Sequence, residues 1–191
     1  MTVGTYGVDR ATVVSMIADT HGLLRAEALE ALRDAHLIIH AGDVGPNGVL
    51  EALERLAPVR TVRGNVDKGV WAEKLPRDAL VRVGEIEIYV YNGHEEPGSA
   101  AVGCGVVVSG HLHKSEITEK RGVLYLNPGS AGPRHFKLPV TLMRLYISGK
   151  AVRPELVHLV GDDSGVTASV LNSAEPRSAR KRTATRAHKG R

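Results

Sequence analysis

TVVSMIADTHGLLRAEALEALRDAHLIIHAGDVGPNGVLEALERLAPVRTVRGN, residues 12–65, is the stretch that decides the fold. Thr12–Ile17 is a short apolar run and reads as a buried strand. Leu23–Arg33 sets apolar residues at helical spacing among strong helix formers. His36–His40 (HLIIH) is again short and β-rich, and Asn47–Leu56 reads as a second amphipathic helix. Val59–Val62 is a third strand, ended by Gly64. An order of strand, helix, strand, helix, strand implies parallel strands joined by helical crossovers.

Downstream the pattern changes. Ala79–Val83 and Glu85–Tyr91 alternate polar and apolar residues around Gly84 and read as a hairpin. Gly105–Ser109 is a buried strand, and Ser115–Glu119 with Val123–Leu126 flank Arg121-Gly122 as a second hairpin. Thr141–Ile147 and Ala151–Val160 form a third around Ser148-Gly149. An α/β half is thus followed by a mostly antiparallel half. The simplest architecture is α+β (α/β): two sheets packed face to face with helices outside.

The chain has 191 residues and a net charge of +4, and that excess is local. Residues 1–160 carry 18 basic and 18 acidic side chains, whereas 161–191 carry seven basic and three acidic. A uniformly basic nucleic-acid-binding domain is therefore not expected. At 42% hydrophobic with only seven aromatic residues, the core must be built from Val, Leu, Ile and Ala. No apolar run reaches the roughly 18–20 residues of a membrane helix. Met1–Arg10 does not read as a signal peptide. Cys104 is the single cysteine, which fits a reducing compartment and a cytoplasmic setting. From Gly161 the composition turns to Asp, Ser, Gly, Thr and Ala and ends in RSARKRTATRAHKGR, which reads as a disordered basic tail.

Chemistry-bearing residues fall at strand ends: Asp19-Thr20-His21-Gly22, Gly42-Asp43, Gly64-Asn65-Val66-Asp67 and Gly110-His111-Leu112-His113. Ligands bind beyond the carboxyl ends of strands in open parallel sheets. Four strands would deliver Asp, His and Asn donors to one edge, a set suited to Mn, Fe, Zn or Ni. Asp19 with His21, and His111 with His113, are each two apart, a spacing that lets both side chains reach one side of a strand-end loop. Any one of these motifs alone is weak evidence; their order, each at a strand end, is not.

Together D-x-H, GD, GN-x-D and GH-x-H resemble the calcineurin-like metallophosphoesterase superfamily, in particular its small single-domain bacterial and archaeal phosphodiesterases. Asn127-Pro128-Gly129-Ser130 and Pro133-Arg134 are similar to that group's NPGS turn and the Pro-Arg after it. The resemblance spans about Thr12 to Val160. It implies a four-layer αββα sandwich of two mixed sheets flanked by helices, with a metallophosphoesterase domain at 1–160 and the tail at 161–191. It also implies two divalent ions, manganese first, with nickel, zinc, iron or magnesium as alternatives. Asp19, His21 and His113 would hold one ion, Asp43 would bridge, and Asn65 and His111 would hold the second. Asn92, in Tyr91-Asn92-Gly93-His94, stands where the family has a ligating His.

An amide oxygen is a weaker ligand than imidazole for borderline metals. The second site is thus expected to be the weaker one, with His94 as a substitute ligand. Val66 occupies a position where many superfamily phosphoesterases carry an acid His, which leaves His94 as the nearest catalytic candidate beside Asp43. Asn65 and Arg134 are candidate substrate contacts, Arg134 alternatively forming a structural ion pair. Asp67 reads as a hydrogen-bond acceptor behind the site, and His36, His40, Cys104, His135 and His158 as structural or surface residues. Trp71 is a candidate for a substrate wall or an oligomer contact. Between His94 and Gly110 the family's helix is reduced to a turn or lost.

The implied reaction is hydrolysis of a small phosphodiester by a metal-bridging hydroxide. The alternative is a catalytically weak or inactive scaffold of the same fold. The tail is a candidate for weak contact with nucleic acid or an anionic surface. No membrane partner is expected.

Overall fold

The computed structural model describes residues 3–6, 11–46, 48–159 and 168–169. In chain order its elements are β1 (Val3–Tyr6), β2 (Thr12–Ile17), α1 (Ala26–Ala31), β3 (Leu37–His40), α2 (Val49–Glu54), β4 (Val59–Thr61) and α3 (Val70–Glu73). The second half contains β5 (Asp78–Val83), β6 (Ile86–Tyr91), β7 (Val106–Ser109), β8 (Ser115–Lys120), β9 (Val123–Pro128), β10 (Thr141–Ser148), β11 (Ala151–His158) and β12 (Ala168–Ser169).

These strands form two mixed six-stranded sheets, ordered β1-β5-β6-β7-β9-β8 and β12-β11-β10-β2-β3-β4. In the second, β2, β3 and β4 run parallel, as the opening stretch implies, and β10 returns antiparallel against β2. In the first, β6, β7 and β9 run parallel, while the β5–β6 and β8–β9 pairs are the expected hairpins.

β2 and β3 are buried along their whole length, and period-two alternation sends successive side chains to opposite faces. Val14, Met16, Leu37 and Ile39 face the first sheet and pack with Val81, Ile88, Val90, Val106, Val108 and Leu126. Their neighbours Ile17 and Ile38 face the other way, onto Ala28 and Ala31 of α1 and Val49 and Leu53 of α2. A strand buried on both faces has no polar side, which is the mark of a parallel sheet under helices. Each such Val, Leu or Ile contributes about 1.5–3 kcal/mol by leaving water.

The outer face of the first sheet is covered more thinly. Tyr89, Cys104 and Val107 pack there under Ala100 and Ala101, part of a single 3-10 turn at Ser99–Ala101. The connection between β6 and β7 is thus reduced to a turn, as expected. Cys104 is buried, as a small core residue should be.

Both crossover helices are shorter than the periodicity suggests. α1 begins only at Ala26, because Leu23 N–H donates to Thr20 O at 2.8 Å and holds 20–23 in a turn. α2 begins after Gly48, whose φ of +69° is left-handed. β1, α3 and β12 have no counterpart in the sequence reading. Apart from Ala168–Ser169, which pair with Leu156 and Val157, the tail lies outside the described residues. No helix among the described residues is long and apolar enough to cross a membrane.

Candidate metal centre

The carboxyl ends of β2, β3 and β4 meet those of β6, β7 and β9 along one edge of the sandwich. Direct bonds join the two sheets there: His111 N–H donates to Asp19 Oδ1 at 3.1 Å, and Ser130 Oγ donates to Asp19 O at 3.1 Å. Asn127 Nδ2 donates to Gly110 O at 2.9 Å, so the Asn-Pro-Gly-Ser turn braces the loop that carries both histidines.

Asp19, His21 and His113 offer one ligand atom each, all within 4.8 Å of one another. His21 Nε2 lies 3.3 Å from His113 Nε2, which lies 3.6 Å from Asp19 Oδ1. Asp43 is buried beside them; its Oδ1 accepts Val66 N–H at 3.1 Å, and its Oδ2 lies 3.8 Å from His111 Nδ1. Asp19, His21, Asp43, His111 and His113 all have positive φ, between 47° and 67°. This conformation costs a non-glycine residue on the order of 1 kcal/mol, and strain of this kind collects at functional sites.

Electrostatics point the same way. Burial, then the Asp43 carboxylate, raises the Asp19 carboxyl to about 8. Burial, then the neighbouring His21, lowers His113. Asp19 Oδ2 is buried with no hydrogen-bond partner. A buried acid with one oxygen unpartnered, beside an imidazole that burial inclines to be neutral, fits a divalent cation. Such a cation would take up the charge that burial disfavours.

Two glycines allow the close approach. A Cβ on Gly64 would stand 2.0 Å from Asp43 Oδ1 and 2.2 Å from Asp43 N. One on Gly45 would stand 2.4 Å from Gly22 N, where the loops after β2 and β3 touch.

Hydrogen bonds hold the layer behind. Asp67 accepts N–H bonds from Gly45 at 2.9 Å and Gly64 at 2.8 Å, and so fixes two site loops. Thr20 Oγ1 donates to Val44 O at 2.8 Å and therefore accepts from His40 Nε2 at 2.9 Å. Burial pushes His40 down to about 4, which leaves it neutral.

Asn92 is buried with both ends of its amide engaged. Nδ2 donates to Ala41 O at 3.0 Å, so the end facing His94 Nδ1, 3.0 Å away, is the acceptor Oδ1. His94 therefore carries its proton on Nδ1. Its ring centroid is 6.1 Å from that of His111, and its Nε2 is 3.4 Å from Glu95 Oε1.

Asn65 and Arg134 are exposed on the loops after β4 and β9, and no ion pair to Arg134 occurs among the described residues. Trp71 is half-buried against the α1–α2 side, on the wall of a cavity of about 170 Å³ with Pro46 and Leu50.

His135, read from the sequence as a surface or packing residue, is exposed. Its ring centroid lies 4.7 Å from that of His113, and it reaches the centre from an exposed loop with no local motif.

A fold and a donor set of this kind define a class. The chain belongs to the calcineurin-like phosphoesterase superfamily, whose domain it matches over residues 13–150. A protein of Methanothermobacter thermautotrophicus named "Probable metallophosphoesterase" is 32% identical over 159 residues, covering 76% of this chain and 91% of that one. The structure of vacuolar protein sorting 29 from Cryptosporidium parvum superposes with a TM-score of 0.72 at 25% identity, over 86% of this chain and 100% of that one. An archaeal phosphodiesterase shares the fold with a TM-score of 0.64 at 23% identity, over 75% of this chain and 98% of that one. Membership implies divalent metal ions and supports a phosphoester hydrolase.

Proposed function

We propose that the protein is a metal-dependent phosphodiesterase acting on a small phosphodiester at a dinuclear centre. The observation that carries this reading is the convergence of Asp19, His21 and His113, with Asp43 and His111 beside them, on the edge where both sheets end.

Asp19, His21 and His113 would hold one ion, and Asp43 has two oxygens with which to share both. His111 and Asn65, with Asn92 or His94, would complete the second. Manganese suits the mixed oxygen and nitrogen donors, and an amide in place of imidazole tilts the second position further toward oxygen-preferring ions. When bound, the ions supply Lewis-acid charge and activate water near neutral pH. Asp19 gives up its proton to bind, so loading releases protons below pH 8. Arg134, exposed and with no ion pair among the described residues, would contact phosphate oxygens. His94, held by Asn92 through Nδ1, offers the lone pair of Nε2 at the edge as a ligand or, once that nitrogen is protonated, as an acid.

The test is turnover of bis(p-nitrophenyl) phosphate by protein loaded with manganese, with metal content measured on the same sample. Turnover lost on chelation and restored by metal supports the reading; bound metal without turnover refutes it.

A scaffold is the second reading. One observation favours it: the thin cover over the first sheet leaves Tyr125 39% and Val102 85% exposed, on the face away from the centre. Asn92→His discriminates, because it raises metal content and turnover in an enzyme with a weakened site and changes no turnover in a scaffold.

A further inference from the structure

Seven non-glycine residues among those described have positive φ. Five are candidate ligands, and Arg121 sits with Gly122 in the β8–β9 hairpin turn, where such angles are required. Phe136, at φ +51°, has neither reason. Leu138 N–H donates to His135 O at 3.0 Å, which places Phe136 at the first central position of a tight turn. Gly, Asn or Asp take that conformation readily; a bulky aromatic there is an outlier. Packing does not hold it in place either, since Phe136 is 85% exposed.

What the turn does is present the ring beside the centre. Phe136 lies edge-on to His135 with centroids 4.5 Å apart, and His135 lies 4.7 Å from His113. Arg134 and Lys137 flank it, both exposed and with no ion pair among the described residues. Two uncompensated cations around a free aromatic face complement an anion that carries a planar group.

We propose that Phe136 is a substrate-contacting residue whose ring stacks on a planar aromatic substituent of the phosphoester, with Arg134 and Lys137 drawing in the phosphate. This rests on the phosphodiesterase reading and narrows its substrate class to aryl or nucleoside phosphodiesters.

The experiment has a binding arm and a turnover arm. In manganese-loaded protein, calorimetry compares phenylphosphonate with methylphosphonate, for wild type and Phe136→Asn, which keeps a residue tolerant of the left-handed turn. The expected result is about tenfold tighter binding of phenylphosphonate by wild type, from the stacking of one ring, and no preference in the variant. The melting temperature of the variant should be unchanged or raised. Equal binding of both probes by wild type, or a preference that survives in Phe136→Asn, overturns the proposal.

The turnover arm compares the p-nitrophenyl esters of methyl, phenyl and thymidine 5′ phosphate. A variant loss confined to the thymidine ester identifies a nucleobase, and one confined to the phenyl ester identifies an aryl group. Equal loss on all three assigns the stacked ring to the shared p-nitrophenyl group, and no loss on any of them overturns the stacking role. Failure of wild type to turn over any ester refutes the phosphodiesterase reading, while the binding arm still decides the role of Phe136.

Discussion

Replacing Asp19 by Asn should make the metal-free protein more stable, and the size of the effect follows from the carboxyl's raised value. Unfolded, Asp19 ionises near its ordinary 3.8; folded, it ionises near 8. The folded state therefore holds a proton that the unfolded state has lost between those values. Full stability is present below 3.8 and falls as pH rises toward 8, by about 1.4 kcal/mol per unit. His40 opposes this in part of the range. Its value is depressed from 6.5 to about 4, so its contribution is present above 6.5 and lost as pH falls. His113, also lowered, acts on the same acidic side.

Between pH 6.5 and 8 the Asp19 effect stands apart, and the metal-free wild type should lose about 2 kcal/mol there. The amide of Asp19→Asn keeps an oxygen for the His111 N–H and carries no charge, so the variant's stability should stay flat across this range. The assay is urea unfolding in chelator at about pH 6.5, 7.2 and 8, repeated with saturating manganese. Metal should stabilise wild type strongly and the variant little, because binding to the folded state adds to its stability. Equal pH slopes for the two metal-free proteins would refute the reasoning.

Three further outcomes are expected. Gly64→Ala drives a methyl into Asp43, so it should cost about 1–3 kcal/mol in urea unfolding and lower metal content by mass spectrometry. Asn92→Ala frees His94 and leaves Ala41 O unpaired; we expect kcat to fall and its pH profile to move, with about 1–3 kcal/mol of stability lost. Deleting 172–191 should leave phosphodiester turnover unchanged and remove any polynucleotide affinity that weakens steeply with salt, since the excess positive charge lies in the tail.

Strands were legible in the sequence where one face or both are buried by neighbours of known type. Thr12–Ile17 matches to the residue because a short, largely apolar run set between Arg10 and Asp19 has one way to be buried. Helix ends were less legible, since Leu23 and Leu24 have helical spacing yet belong to the turn that starts at Thr20. β1 carries Gly4 in four residues and has no periodic signal. In the site, Asp19, His21, Asp43, His111 and His113 could be read because each follows a strand within a few residues. The double engagement of Asn92 could not, because Ala41 lies 51 residues away in sequence. The place of His135 beside His113, and of Phe136 against His135, was not legible for the same reason: it comes from how the loop after β9 crosses the edge, not from spacing.

The proposed chemistry requires two divalent ions at this edge. Anomalous diffraction at the manganese edge, from crystals grown with manganese, tests it most directly. Two peaks roughly 3.5–4 Å apart, on either side of Asp43, are expected. Asp19, His21 and His113 should ligate one, and His111 and Asn65 the other, with Asn92 or His94 closing its shell. An absence of peaks at saturating manganese, or peaks only at sites remote from Asp19 and Asp43, would contradict it.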